Sequence, residues 1–152
     1  MDRKELRRDA MKEMTTLASV DKLSEVLAFL EGYLEEKECP PKASMQLAVA
    51  LEEMFVNVAS YAYKESPLSE SEQTCTITIE DTDIDGKPGV KVSIADRGTP
   101  YDPLAKEDPD TTLSAEERQI GGLGIFMVKK SMDRTDYVRN DDTNLFIMEK
   151  SF

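Results

Sequence analysis

A two-layer α+β sandwich, with helices on one face of a largely antiparallel sheet, is the fold class the sequence predicts, and three observations predict it. Two pairs of short segments with alternating apolar residues are each separated by a turn-forming tract, the pattern of β-hairpins. Two longer segments nearer the N-terminus carry apolar residues at helical spacing. The resulting order, β-α-α-β-β-loop-α-β-β, lacks the alternation that builds a doubly wound parallel sheet. With 152 residues, the chain suits a single domain, residues 1–152, around one core.

Met11 to Leu17 reads as a short strand. Asp21 to Glu38 reads as a helix, because Leu23, Val26, Leu27, Leu30 and Leu34 recur at helical spacing. Pro40 and Pro41 stop that helix, and Pro41 can open the next. The second helix is expected over Lys42 to Tyr63, with Leu47, Leu51, Met54, Phe55, Val58 and Ala62 as its core stripe. A polar loop covers Ser66 to Ser71. Thr74 to Asp81 alternates, with Cys75, Ile77 and Ile79 on one face. A turn over Asp85 to Gly89 leads to a strand carrying Val90, Val92 and Ile94. An irregular run from Thr99 to Gln119 follows, with Pro100, Pro103, Pro109 and six acidic residues. Connections of that length in a compact domain are uncommon and are usually lids, binding loops or disordered. A short helix over Gly122 to Asp133 buries Ile125, Val128 and Met132. Strands over Arg134 to Arg139 and Asn144 to Lys150, joined at Asn140 to Thr143, complete the order.

Composition narrows the function. The formal net charge is −12, so the surface repels a nucleic-acid backbone, and direct nucleic-acid binding is not expected. An anionic ligand must be held by a local device instead of the general field. The chain has no histidine, which removes His-activated nucleophiles, His metal ligands and a phospho-accepting His. Cys39 and Cys75 lack metal-ligand spacing and suit a reducing compartment. The N-terminal MDRKELRRDA is too charged for a signal peptide, and no apolar run approaches a membrane span. A soluble, cytoplasmic protein without membrane partners is expected.

Three places carry candidate chemistry. Glu53 and Asn57 are four apart on the second helix, so both side chains point the same way, one turn apart and away from the core stripe. A carboxylate and an amide oxygen on one face can serve as a base and a hard-cation ligand. Solvated helix faces also carry E-x-x-x-N, so this pattern is weak by itself. At the end of the second hairpin strand lies Asp96-Arg97-Gly98-Thr99-Pro100-Tyr101-Asp102-Pro103. A strand-terminal Asp can accept a ligand amine, and Gly98 can let a flat ring approach the backbone. The same residue types also make an ordinary turn. The third place is Gly121-Gly122-Leu123-Gly124, immediately before a helix. Unpaired first-turn N–H groups and the helix dipole attract phosphate there. A flexible hinge would look similar, and neither a P-loop nor a Rossmann fingerprint is present.

The order of the three is more specific than any one. VALEEMFVNVASYAY, then VSIADRGTPYDPL, then GGLGIFMVKKSMDRTDYVRNDDTNLFIMEK resembles the Bergerat-fold, or GHKL, ATPases. Within them the chain is most similar to bacterial anti-sigma factor serine/threonine kinases, from about Thr16 to the C-terminus. The resemblance implies an α/β sandwich with a mixed, mostly antiparallel sheet, and ATP with Mg²⁺ as ligand. It implies transfer to a Ser or Thr of a STAS-type anti-sigma antagonist, with regulation of a sigma factor by partner switching.

Carried over by motif, Glu53 would be the general base and Asn57 the Mg²⁺ ligand. Asp96 would accept the adenine amine beside Gly98, and Gly121, Gly122, Leu123 and Gly124 would carry the phosphates. Residues 99–120 would be the ATP lid, with Lys106 and Arg118 as candidates to neutralise phosphate charge. Glu52 adjoins Glu53, but only Glu53 is one turn from Asn57. The chain departs from the family pattern at two positions. Tyr61 stands where a His is frequent, and Ile147 is the nearest counterpart by spacing of a final-strand Thr that reaches adenine through water. A non-catalytic module that binds nucleotide or sequesters a partner is the alternative, and a detached histidine-kinase catalytic domain is a third. Relatives commonly dimerise, which leaves a homodimer open.

Overall fold

The computed structural model describes residues 11–105 and 122–152. Five strands form one sheet: β1 (Met11–Leu17), β2 (Thr74–Ile84), β3 (Lys87–Asp96), β4 (Arg134–Asn140) and β5 (Thr143–Ser151). Their spatial order is β1-β2-β3-β5-β4, and each of the four pairings is antiparallel. Among the described residues three α-helices, α1 (Leu23–Glu36), α2 (Pro41–Asn57) and α3 (Gly122–Ser131), form the second layer. This is the α+β sandwich that the hairpins and helical spacing predict.

Alternation decides which face is buried. Cys75, Ile77 and Ile79 of β2, Val90, Val92 and Ile94 of β3, and Phe146 and Met148 of β5 share the helix side. Against them α1 packs Val26, Leu30 and Leu34, while α2 packs Leu47, Ala50, Leu51, Met54 and Phe55. Ile125 and Val128 bring α3 into the same cluster. Each large side chain so buried contributes about 1.5–3 kcal/mol, so α2, which spans β3 and β5, is anchored along most of its length. The opposite face carries Thr76, Thr78, Ser93 and Lys91, as a solvated face should.

Two local features differ from expectation. The first hairpin turn is only Asp85 and Gly86, with φ of 52° and 85°, and Ile84 pairs directly with Lys87. Two consecutive positive φ angles make a tight primed turn, for which Asp-Gly is a favoured sequence. The strands therefore run further than hydrophobic alternation alone marks. The second feature is the end of the long helix. The α-helix stops at Asn57, and a π-helical turn continues over Val58–Ala62. Val58 and Ala62, expected in the core stripe, are only partly buried because the wider turn rotates them toward a cleft. Single π-turns of this kind are frequent at functional sites.

Candidate functional site

Asp96 is the last residue of β3, on the helix side, where register sets it between Cys75 of β2 and Asn144 of β5. It is 7% exposed. Burying a carboxylate is costly unless donors surround it. One oxygen, Oδ1, receives the Gly98 N–H at 2.9 Å and the Asn144 Nδ2 at 3.0 Å. No donor among the described residues reaches Oδ2.

The backbone after Asp96 forms a strap fixed at several points. Tyr63 accepts the Arg97 N–H at 2.7 Å and donates its own hydroxyl to the Thr74 carbonyl. Burial raises the Tyr63 pKa, so the ring stays a neutral donor and acceptor. The Thr99 N–H donates to the Ala62 carbonyl at 2.9 Å, and Arg139 Nη1 donates to the Gly98 carbonyl at 2.9 Å. Gly98 has a structural reason that sequence reasoning did not supply. A Cβ there would sit 2.2 Å from the Ala62 carbonyl oxygen and 2.7 Å from its Cβ. The glycine admits the end of the π-turn, whatever else it admits. Gly98→Ala should therefore cost about 1–3 kcal/mol, the range for overpacking, read as a lower urea midpoint at unchanged slope.

Between strap and π-turn lies a cleft of ≈ 490 Å³. Met54, Val58, Ile94 and Phe146 give it apolar walls, and Asn57, Asp96 and Asn144 supply convergent polar groups. Thr99, Pro100, Tyr101 and Tyr61 stand around it as well. An apolar hollow of this size with a few fixed polar groups is the usual form of a small-ligand site. Asn57 contributes a second such group: its Nδ2 is buried without a hydrogen-bond partner among the described residues. An orphaned donor of that kind costs about 1–3 kcal/mol, which a ligand oxygen could recover.

Glu53 lies elsewhere. It lines a second hollow between α2 and α3, with Met45, Val49, Gly124 and Met127. A Cβ on Gly124 would fall 1.8 Å from Glu53 Oε1, so the carboxylate is packed under the first turn of α3. Asn57, one turn further along α2, lines the Asp96 cleft, while Glu53 lines this second hollow. Glu52 is exposed, which leaves Glu53 as the carboxylate in contact with the glycine turn. Gly122 opens α3 as expected, and Leu123 lies in its first turn. Gly121, Lys106, Arg118 and all of the expected lid beyond residue 105 lie outside the described residues.

Comparison with known families matches residues 16–150 to the histidine kinase-like ATPase domain. The chain belongs to the histidine kinase-like ATPase family. Solved structures agree on the fold. The SiaB–SiaC complex from Pseudomonas aeruginosa includes a chain with a TM-score of 0.58 and 17% identity, covering 100% of this chain and 99% of that one. The RsbU and RsbW domains of Rv1364c from Mycobacterium tuberculosis give 0.57 at 15% identity, covering 92% of this chain. This chain spans 32% of that longer one. Among proteins of curated function, none matches by sequence.

Within this histidine kinase-like ATPase fold, the final strand requires a correction. Ile147 pairs with Ser93 on the face away from the cleft, so its side chain does not line the cleft. Asn144, three residues earlier, faces Asp96 directly. The sequence hid this because Leu145, Phe146, Ile147 and Met148 are apolar on both faces, so alternation gave no parity. Tyr61, where the family pattern has a frequent His, is 62% exposed at the cleft.

Proposed function

We propose that this domain binds Mg²⁺–ATP and transfers the γ-phosphate to a Ser or Thr hydroxyl of a STAS-type anti-sigma antagonist, as a cytoplasmic partner-switching regulator of a sigma factor. The observation that carries the reading is the cleft lined by both Asp96, whose Oδ2 meets no donor among the described residues, and Asn57, whose buried Nδ2 meets no acceptor among them. Membership of an ATPase-domain family and the fold shared with SiaB and RsbW structures support it. The proposed unit is one domain, residues 1–152, with residues 99–120 as its lid.

The residues present fit both ligands. Asp96 lines a cleft with apolar walls and has Oδ2 as an acceptor, which suits the amine edge of adenine. The described residues contain no group of three His, Cys, Asp or Glu that would cage a metal. A cation carried by phosphates needs only one or two protein oxygens, and the Asn57 Oδ1 is a hard ligand of the right kind. Mg²⁺ would supply neutralisation of phosphate charge. The first-turn N–H groups of α3, from Gly122 to Gly124, would hold phosphate oxygens, and Glu53 would take the proton of the attacking hydroxyl. Catalysis would then be mostly positioning and charge stabilisation. No helix among the described residues is long and apolar enough to cross a membrane.

The second reading is a nucleotide-binding or sequestering module without transfer, in which the contact of Glu53 with Gly124 only packs α3 on α2. Incubation with γ-labelled ATP and purified STAS-type antagonists separates the two. Label on a Ser or Thr of an antagonist supports the kinase. Saturable ATP binding without label on any antagonist supports the module.

A further inference from the structure

We propose that Asn144, held in place by Tyr137, is a positioning residue that orients the Asp96 carboxylate for reading the base; the inference rests on the nucleotide reading above. Asn144 is 6% exposed, so its amide must find partners inside the protein. Its Nδ2 donates to Asp96 Oδ1 at 3.0 Å and to the Thr99 carbonyl at 2.9 Å, with the Gly98 carbonyl at 3.5 Å. Its Oδ1 accepts from the Tyr137 hydroxyl and from the Tyr101 N–H at 3.4 Å. Two hydrogens and two lone pairs are therefore all occupied.

This arrangement fixes the amide the right way round. A flipped Asn144 would set its oxygen against a carboxylate and two carbonyls, and its nitrogen against a backbone N–H. The Tyr137 hydroxyl, from the neighbouring strand, adds the side-chain bond that holds that orientation. Asn144 and the Gly98 N–H together saturate Asp96 Oδ1, which turns Oδ2 into the single acceptor left. A carboxylate held in this way loses little freedom when a ligand amine arrives, which is the gain from preorganisation. A base with a carbonyl at the same edge would place oxygen against oxygen.

The test compares ATP with purine riboside triphosphate, which lacks the adenine amino group. Calorimetry with Mg²⁺ is run on wild type, Tyr137→Phe and Asn144→Ala, with thermal unfolding of each. Tyr137→Phe keeps the ring and should weaken ATP binding about 3- to 10-fold, the value of one hydrogen bond. Asn144→Ala should weaken it more than about 10-fold, since it removes a bond to a charged group. Purine riboside triphosphate, with no amine for Asp96, should bind all three proteins within about 2-fold. A purely structural role would weaken both nucleotides alike, and that result overturns the proposal, as does unchanged ATP affinity in both variants. If Asn144→Ala fails to fold, Tyr137→Phe alone decides. Wild type that binds neither nucleotide, or both equally, would instead strike at the nucleotide reading itself.

Discussion

Asp96→Asn should abolish most ATP affinity, by about 100-fold or ~2.7 kcal/mol, while the fold persists. The size follows from how the carboxylate is divided. Oδ1 already serves the Gly98 N–H and the Asn144 amide. An asparagine must keep its oxygen there to satisfy both donors, which forces its NH₂ into the place of Oδ2. The cleft then presents a donor to the adenine amine, itself a donor. The same variant should bind inosine triphosphate better relative to ATP than wild type does, because a base carbonyl now meets an N–H. Calorimetric titration with both nucleotides checks the loss and the reversal together. An ATP dissociation constant equal to wild type would remove Asp96 from base recognition.

Glu53→Gln is the second large effect. Glutamine keeps the size and the contact with Gly124, so ATP binding and stability should be retained. It cannot take a proton, so transfer to an antagonist hydroxyl should fall about 10²- to 10⁴-fold, the usual contribution of a general base. Single-turnover transfer with labelled ATP reads the chemical step apart from binding. Undiminished labelling of the antagonist would show that Glu53 does not act on the hydroxyl. Its packing under α3 would then be its whole role.

Much of the sandwich was legible because its signals are local. Leu23 to Leu34 and Leu47 to Phe55 repeat with a helical period, and Cys75 to Ile79 alternates, so each periodicity marks its own element. The position of Asp96 at the end of its strand was legible too, as was the placement of Glu53 and Asn57 one turn apart on one helix. What stayed hidden depends on packing between distant segments. The π-turn after Asn57 has no glycine or proline to announce it; the widened turn is where Ala62 meets the strap at Gly98. The contact of Glu53 with Gly124 follows from α3 docking on α2, which no spacing within α2 encodes. Asn144 was masked by apolar neighbours on both faces of β5, so only the observed register shows that it, and not Ile147, reaches Asp96.

The most direct measurement is an amide NMR titration of the uniformly ¹⁵N-labelled chain with Mg²⁺–ATP. The predicted result is saturable shifts concentrated at Asn57 to Ala62, Asp96 to Tyr101 and Asn144 to Phe146, with a second group at Gly122 to Gly124. Absence of shifts at saturating nucleotide, or shifts confined to Met45, Val49 and Met127 in the other hollow, would contradict the assignment of the Asp96 cleft to ATP.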